Sequence, residues 1–437
     1  MKKFYLAIDI GASSGRHIVG WKEDGIIKTE EVYRFQNGVQ EKDGHLVWDI
    51  KSLAQNVIKG IKAAFQKYSQ IKSLAIDTWA VDYVLMEGDR EIMPCYAYRD
   101  ERTQSVIPRV HERVPFEDLY ERTGIQFQPF NTVYQLFDDS ERKRLERVTD
   151  FCMIPEYLNF VLTGAKLHEY TNATTTGLVN AETKEYDREL INKLGLPENL
   201  FGKLYQAGTL VGALKPEIAE EVGGQTQVVL CASHDTASAV EGISMTENSP
   251  YISSGTWSLL GLKVERAVTN EESRRANYSN EGGVGYFRYQ KNIMGMWVVN
   301  RLRDELCPEK LFPQIEKEAR ESTFSGCVNV NDGVFLAPKS MKEAFDSCLT
   351  GREPQTTGDY FRCAFLSLAV SYQTALKELK RNAKKEFDTL YIVGGGAKNK
   401  LLNELTEEIC NIKVKALPIE ATALGNLKIQ IERAQKN

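Results

Sequence analysis

The residue best placed to do chemistry is Asp235, which follows the apolar run Val228-Val229-Leu230 within Cys231-Ala232-Ser233-His234-Asp235-Thr236. Ligands of α/β sheets gather at the C-terminal ends of strands. A carboxylate there can take the proton of a hydroxyl as that hydroxyl attacks a phosphoryl group. Two other readings fit the same residues. Cys231, His234 and Asp235 could ligate a metal, although no further ligand cluster stands nearby in the sequence. Asp235 could also be only the N-cap of a short helix over Thr236 to Val240.

Three small-residue runs could hold phosphates. Gly11-Ala12-Ser13-Ser14-Gly15-Arg16 offers backbone N–H groups, two hydroxyls and a cation. It lacks the Walker A spacing and is not a dinucleotide GxGxxG before a helix, and it reads equally as an ordinary hairpin turn. Ser253-Ser254-Gly255-Thr256 has the same chemistry in the second half, and Gly394-Gly395-Gly396 opens a helix, where an anion or a planar base can lie close to backbone. Asp9 ends the first strand beside the first loop. A carboxylate there would repel phosphate unless a cation intervened, so Asp9 is a candidate ligand of magnesium through water. Trp79, Tyr83, Tyr96 and Tyr98 read as core or rim aromatics.

The elements that must position these groups follow from periodicity. Tyr5 to Asp9 and His17 to Trp21 read as a hairpin. Ile50, Leu53, Ala54, Val57, Ile58, Ile61 and Phe65 fall on one helical face, with Asp49 as N-cap, before a buried strand Ser73 to Asp77. The second half repeats this order: a hairpin around Gly255, a helix with Phe361, Phe365, Leu368, Tyr372 and Leu376 on one face, then the strand Thr389 to Val393. The expectation is an α/β protein of two duplicated lobes with a central cleft, divided near Val240.

Composition agrees with a globular protein. The 437 residues exceed what one core usually serves, and 42% hydrophobic with 26% charged residues gives no sign of disorder. A net charge of -5 without a long basic run argues against nucleic acid or an anionic membrane as partner. Asp9 cuts the first apolar stretch short of a signal peptide, and no run approaches the roughly 18 apolar residues of a membrane span. A cytoplasmic protein is expected. Eight cysteines without a CxxC pair suggest reduced, mostly buried thiols.

Together these runs resemble the FGGY family of carbohydrate kinases, of the actin-like and hexokinase-like ATPase superfamily, and within it the rhamnulokinase branch. The resemblance rests on Asp9 to Arg16, Ile76 to Tyr83, Tyr98 to Thr103, Gly124 to Thr132, Ser233 to Ala239, Ser254 to Ser258, Lys291 to Gly295 and Val393 to Gly396. It implies two ribonuclease-H-like lobes: 1–240 with the sugar site, first phosphate loop and base, and 241–437 with the nucleotide site. It implies phosphorylation of L-rhamnulose by ATP with magnesium, in L-rhamnose catabolism. Asp235 matches the family's base. Ala12, Ser13, Ser14, Gly15, Arg16, Thr256 and Gly396 match nucleotide contacts, and His234, Thr236 and Asn292 match sugar contacts.

Three departures stand out. Ala80 replaces a glycine beside the sugar, and a methyl in a pocket is worth about 1–3 kcal/mol of discrimination, so altered selectivity is expected rather than lost catalysis. Asn300 stands where a nucleotide-contacting glutamine is common. The chain stops soon after Gly425-Asn426, where relatives usually continue. The alternatives are a kinase of another deoxyketose, such as L-fuculose, or a non-catalytic sugar or nucleotide sensor.

Overall fold

The computed structural model describes residues 2–246, 248–349, 351, 353–417 and 420–436. Contacts divide the chain into two compact units. The first takes Met1–Ile243, Glu265–Arg288 and Glu420–Asn437, and the second takes Ser244–Val264 and Tyr289–Ile419.

The first unit is built on six strands: β1 (Phe4–Ile10), β2 (Ser14–Glu23), β3 (Ile26–Gln36), β4 (Ile71–Thr78), β5 (Leu210–Ala213) and β6 (Gln227–Val229). Their order is β5-β6-β4-β1-β2-β3. The hairpin strands are antiparallel, whereas β1, β4 and β6 run parallel and end at the same edge. Successive side chains of a strand point to opposite faces, and β1 uses both. Leu6, Ile8 and Ile10 pack with Leu53, Val57 and Ile61 of helix α1 (Ile50–Lys67). Tyr5 and Ala7 pack with Ala423, Leu427 and Ile431 of the C-terminal helix (Ala421–Lys436). Burial on both faces explains the apolar run Phe4 to Ile8 of β1, and each such Leu or Ile contributes about 1.5–3 kcal/mol. The Asp49 carboxylate accepts from Ser52 N and caps α1.

The second unit repeats the order hairpin, helix, strand. Strands β7 (Tyr251–Ser254) and β8 (Trp257–Val264) form the hairpin, β9 (Phe287–Met294) flanks β8, and β10 (Thr389–Val393) and β11 (Lys413–Leu417) extend the sheet in parallel with β7. Four of its helices bear on the site. They are α3 (Trp297–Leu306), α4 (Phe312–Glu321), α5 (Thr357–Ala383) and α6 (Lys400–Cys410), α2 being the short Asp235–Gly242 of the first unit. A capping box of Thr356 and Asp359 starts α5, and Lys384 in the left-handed region ends it. No described helix is long and apolar enough to cross a membrane, and all eight cysteines are free, five of them buried.

Candidate active site

Three parallel strand ends in the first unit deliver three aspartates. Asp9 of β1 and Asp77 of β4 are register partners, and Thr78 N donates to Ser233 O at 2.9 Å, which seats the segment after β6 beside β4 and brings Asp235 to the same edge. Asp9 is buried and receives Arg16 Nη2 at 2.6 Å, while Arg16 Nη1 donates to Glu420. Burial raises the Asp9 carboxyl to about 6, with the negative fields of Asp235 and Glu420 adding to the rise and Arg16 opposing it. Burial also pushes Asp77 well above the ordinary carboxylate range, and Asp9 adds to that shift. Asn426 Nδ2 donates to Asp77 Oδ2 at 2.6 Å, and Asp77 Oδ1 is buried with no hydrogen-bond partner among the described residues. Below it, Gln430 ties Asn426 to Ser73 and to Leu6 O, so the C-terminal helix carries a buried polar ladder onto the sheet.

Asp235 opens α2 as its first helical residue, and the N-cap is His234. The reading of Asp235 as the cap is therefore corrected: the extended cap backbone falls one residue earlier, leaving the Asp235 carboxylate at the helix N-terminus. There the macrodipole favours negative charge. Its Oδ1 accepts from Thr236 Oγ1 at 2.9 Å and lies 3.4 Å from His234 Nε2. On its other side His234 Nδ1 lies 3.0 Å from Arg288 Nη2 and 3.2 Å from Glu281 Oε2. Asp235, His234 and Thr236 thus form one polar group held against the buried Arg288.

The first loop turns within the same edge. Gly11 N donates to Ser14 O, Asn37 N to Ser13 O, and Asn37 Nδ2 to Gly11 O. The first bond closes the loop on itself and the other two tie its carbonyls to Asn37, just past β3, while Ser13 is exposed and Ala12 and Ser14 are half-buried. Arg16 is not a free phosphate cation as its position in the loop suggested, because Asp9 and Glu420 share its guanidinium.

Ala80 is half-buried at the end of β4 and starts a tight turn in which Asp82 N donates to Ala80 O. Val81 takes φ 67°, a conformation strained for a β-branched residue. Thr132 and Gln135 hold it by donating to Val81 O. The turn buries Asp82, whose Oδ2 accepts from Trp48 Nε1 at 2.6 Å and Trp79 Nε1 at 2.9 Å. Burial lifts this carboxyl to about 6 in spite of those donors. Trp48 and Trp79 pack with ring centroids 4.3 Å apart and planes tilted by 38°, and Trp79 directly precedes Ala80.

In the second unit a cavity of about 440 Å³ is lined by Gly255, Thr256, Met296, Asn300, Phe312 and Gly396, among others. Its walls are mostly apolar, as a nucleoside base requires. Gly394 and Gly396 are demanded by approach to β7: a Cβ on Gly396 would sit 1.9 Å from Ser254 Oγ, and one on Gly394 2.6 Å from Ser254 O. The structure therefore brings Thr256, Asn300 and Gly396 together. Asn292 belongs to the same unit, exposed on β9, and does not line this cavity.

The family model for the N-terminal domain of the FGGY family of carbohydrate kinases matches residues 4–242, and that for its C-terminal domain matches 250–431. The chain belongs to the FGGY family. It is a carbohydrate kinase, and ATP is the co-substrate that such a kinase uses. It is 43% identical to the rhamnulokinase of Oceanobacillus iheyensis over 99% of this chain and 93% of that protein. With the rhamnulokinase of Bacillus subtilis it shares 39% over 99% of this chain and 90% of that protein. Among solved structures it is similar to a gluconate kinase from Lactobacillus acidophilus, with TM-score 0.82 and 17% identity over 100% of this chain and 90% of that one. A Plasmodium falciparum glycerol kinase with ADP has TM-score 0.79 and 14% identity over the same shares. These likenesses carry the fold, a mixed α/β kinase architecture.

Reading the sequence missed several parts of the site. Glu420 and Asn426 approach from the C-terminal helix with no local motif, although Gly425-Asn426 was a visible small-polar pair. Phe312, Pro313 and Glu316 of α4 line the cavity, and the sequence there shows no more than the apolar pair Leu311-Phe312 where a helical run begins.

Proposed function

We propose that this kinase transfers the γ-phosphoryl group of ATP to the primary hydroxyl of L-rhamnulose, giving L-rhamnulose 1-phosphate and ADP in cytoplasmic L-rhamnose catabolism. The observation that carries the substrate is the near full-length identity to proteins named rhamnulokinase. Asp235 is the general base, with the carboxylate at a helix N-terminus and His234 and Thr236 beside it to orient the sugar. Ala80 and Asn292 complete the sugar contacts. The lobe over 1–240 takes the sugar and the first phosphate loop, Ala12 to Arg16. The lobe over 241–437 takes the nucleotide through Thr256, Asn300 and Gly396, whose shared cavity supports that assignment.

Among the described residues no cluster of three His, Cys, Asp or Glu side chains is arranged to hold a metal by itself. That suits magnesium arriving on the triphosphate, since Mg2+ keeps several waters and takes few protein carboxylates. Asp9 fits as its carboxylate, and magnesium when bound would neutralise charge on the phosphates. Comparing kcat/KM for L-rhamnulose, L-fuculose and L-xylulose with ATP and magnesium tests the substrate. L-rhamnulose is expected to be best. A higher value for L-fuculose would assign the enzyme to another deoxyketose, with Ala80 as the cause.

A further inference from the structure

Glu169 is fully buried and forms no ion pair of its own among the described residues. An ionised carboxylate in that position is costly unless donors satisfy it. It accepts from Thr171 N at 2.9 Å, Thr171 Oγ1 at 2.6 Å, Asn172 N at 3.1 Å, Ser233 N at 3.1 Å and Ser233 Oγ at 2.7 Å. The two backbone bonds, from Thr171 N and Asn172 N, cap the helix Tyr170–Ala173, and the Thr171 hydroxyl bond is local to it. A capping role accounts for those and leaves the two bonds to Ser233 unexplained, 64 residues along the chain.

Ser233 stands two residues before Asp235 and every polar atom it has is held. Its carbonyl accepts from Thr78 N at 2.9 Å and Asn172 Nδ2 at 3.4 Å, and its amide and hydroxyl both reach Glu169. Glu169 is itself anchored. Its N–H donates to Glu156 Oε1 at 2.7 Å, and Glu156 Oε2 meets His168 Nδ1 at 3.0 Å. His168 Nε2 lies 3.3 Å from Asp150 Oδ1. The links Asp150, His168, Glu156, Glu169 and Ser233 thus form a chain of polar contacts, buried from His168 onward, that ends at the peptide preceding His234 and Asp235.

We infer that Glu169 is the positioning residue of the catalytic base: its carboxylate fixes Ser233 and thereby the place of Asp235 at the strand end. The inference rests on the reading of Asp235 as base. A catalytic group displaced by about 1 Å can lose roughly 100-fold in rate, so the effect belongs in kcat and not in nucleotide binding.

A double-mutant cycle separates the two readings. Glu169→Gln keeps the size of the side chain but loses its charge and turns an amide toward the Ser233 donors. It is expected to lower kcat by roughly 10–100-fold with the Kd for ATP unchanged. In an Asp235→Ala background the same substitution should change the residual turnover less than about 2-fold, because a residue acting through Asp235 has nothing left to position. Equal losses in both backgrounds, or a Glu169→Gln enzyme within 2-fold of wild type, would overturn the inference. If Asp235→Ala alone retained wild-type turnover, the base assignment would fail and the inference with it. Should Glu169→Gln not fold, Ser233→Ala removes one of the two bonds and runs through the same cycle with the same outcomes.

Discussion

Arg16 Nη2 lies 2.6 Å from Asp9 Oδ2, between positions paired directly across the hairpin of β1 and β2. The pairing makes the first loop electrostatically self-contained. Asp9 sits on the buried side of the sheet, and its cation comes from the adjacent strand instead of from solvent. Arg16 also spans to Glu420, so the start of the C-terminal helix is tied to the same guanidinium.

Replacing Arg16 by Ala removes what opposes the rise of the Asp9 carboxyl, already at about 6. If Asp9 must be ionised to work with magnesium, wild-type kcat/KM for ATP falls as pH drops through about 6. The limb moves upward in Arg16→Ala, with lower activity at pH 7. A pH–rate profile reads both effects, and an unmoved limb would dissociate Asp9 from the acid loss.

Much of this arrangement was visible in the chain, and the difference between what was and was not is one of range. The hairpins, α1, α5 and the turn at Gly394 are written in periodicities of two and 3.6 over fewer than thirty residues. Asp235 stood out because a buried strand leads into it. Glu420 bonds a residue 404 positions away and Asn426 one 349 away. Glu169 reaches Ser233 across 64 residues. No local pattern encodes those meetings, because the sheet order creates them. Asp82 lies inside the run Ile76 to Tyr83, yet its role of holding two tryptophans depends on the strained turn at Val81, which nothing in the residue types announces.

Gly396→Ala would drive a Cβ into Ser254. Overpacking of this kind costs about 1–3 kcal/mol, expected here as roughly a 10- to 100-fold higher Kd for ATP in calorimetry with little change in KM for the sugar. Unchanged nucleotide affinity would remove Gly396 from the nucleotide site.

Ala80→Gly deletes one methyl beside the tryptophan pair. A methyl in a pocket shifts selectivity by about 1–3 kcal/mol, so the ratio of kcat/KM for L-rhamnulose to that for L-fuculose should change by at least several-fold, through KM more than kcat. An unaltered ratio would place Ala80 away from the sugar.

Two buried histidines set opposite limbs of the stability profile. Burial lowers His17 to about 3, so the unfolded chain binds the proton first, and its contribution is present above about 6.5 and lost as pH falls toward 3. For His168, burial opposes the charge, but Glu156 and Asp150 outweigh it and raise the imidazole to about 10. That contribution is full below 6.5 and lost as pH rises through 10. Apparent Tm measured from pH 4 to 10 should fall less steeply toward acid in His17→Leu than in wild type. His168→Gln should flatten the alkaline side. Parallel profiles would contradict both assignments.

The central claim is that Asp235 takes the proton of the attacking hydroxyl. Asp235→Asn preserves the shape of the side chain and removes its basicity. Sugar-dependent release of ADP, followed in a coupled assay at saturating ATP and L-rhamnulose, is the direct measurement. A fall of roughly 10²–10⁴-fold with ATP binding retained is the expected result, and turnover equal to wild type would contradict the account.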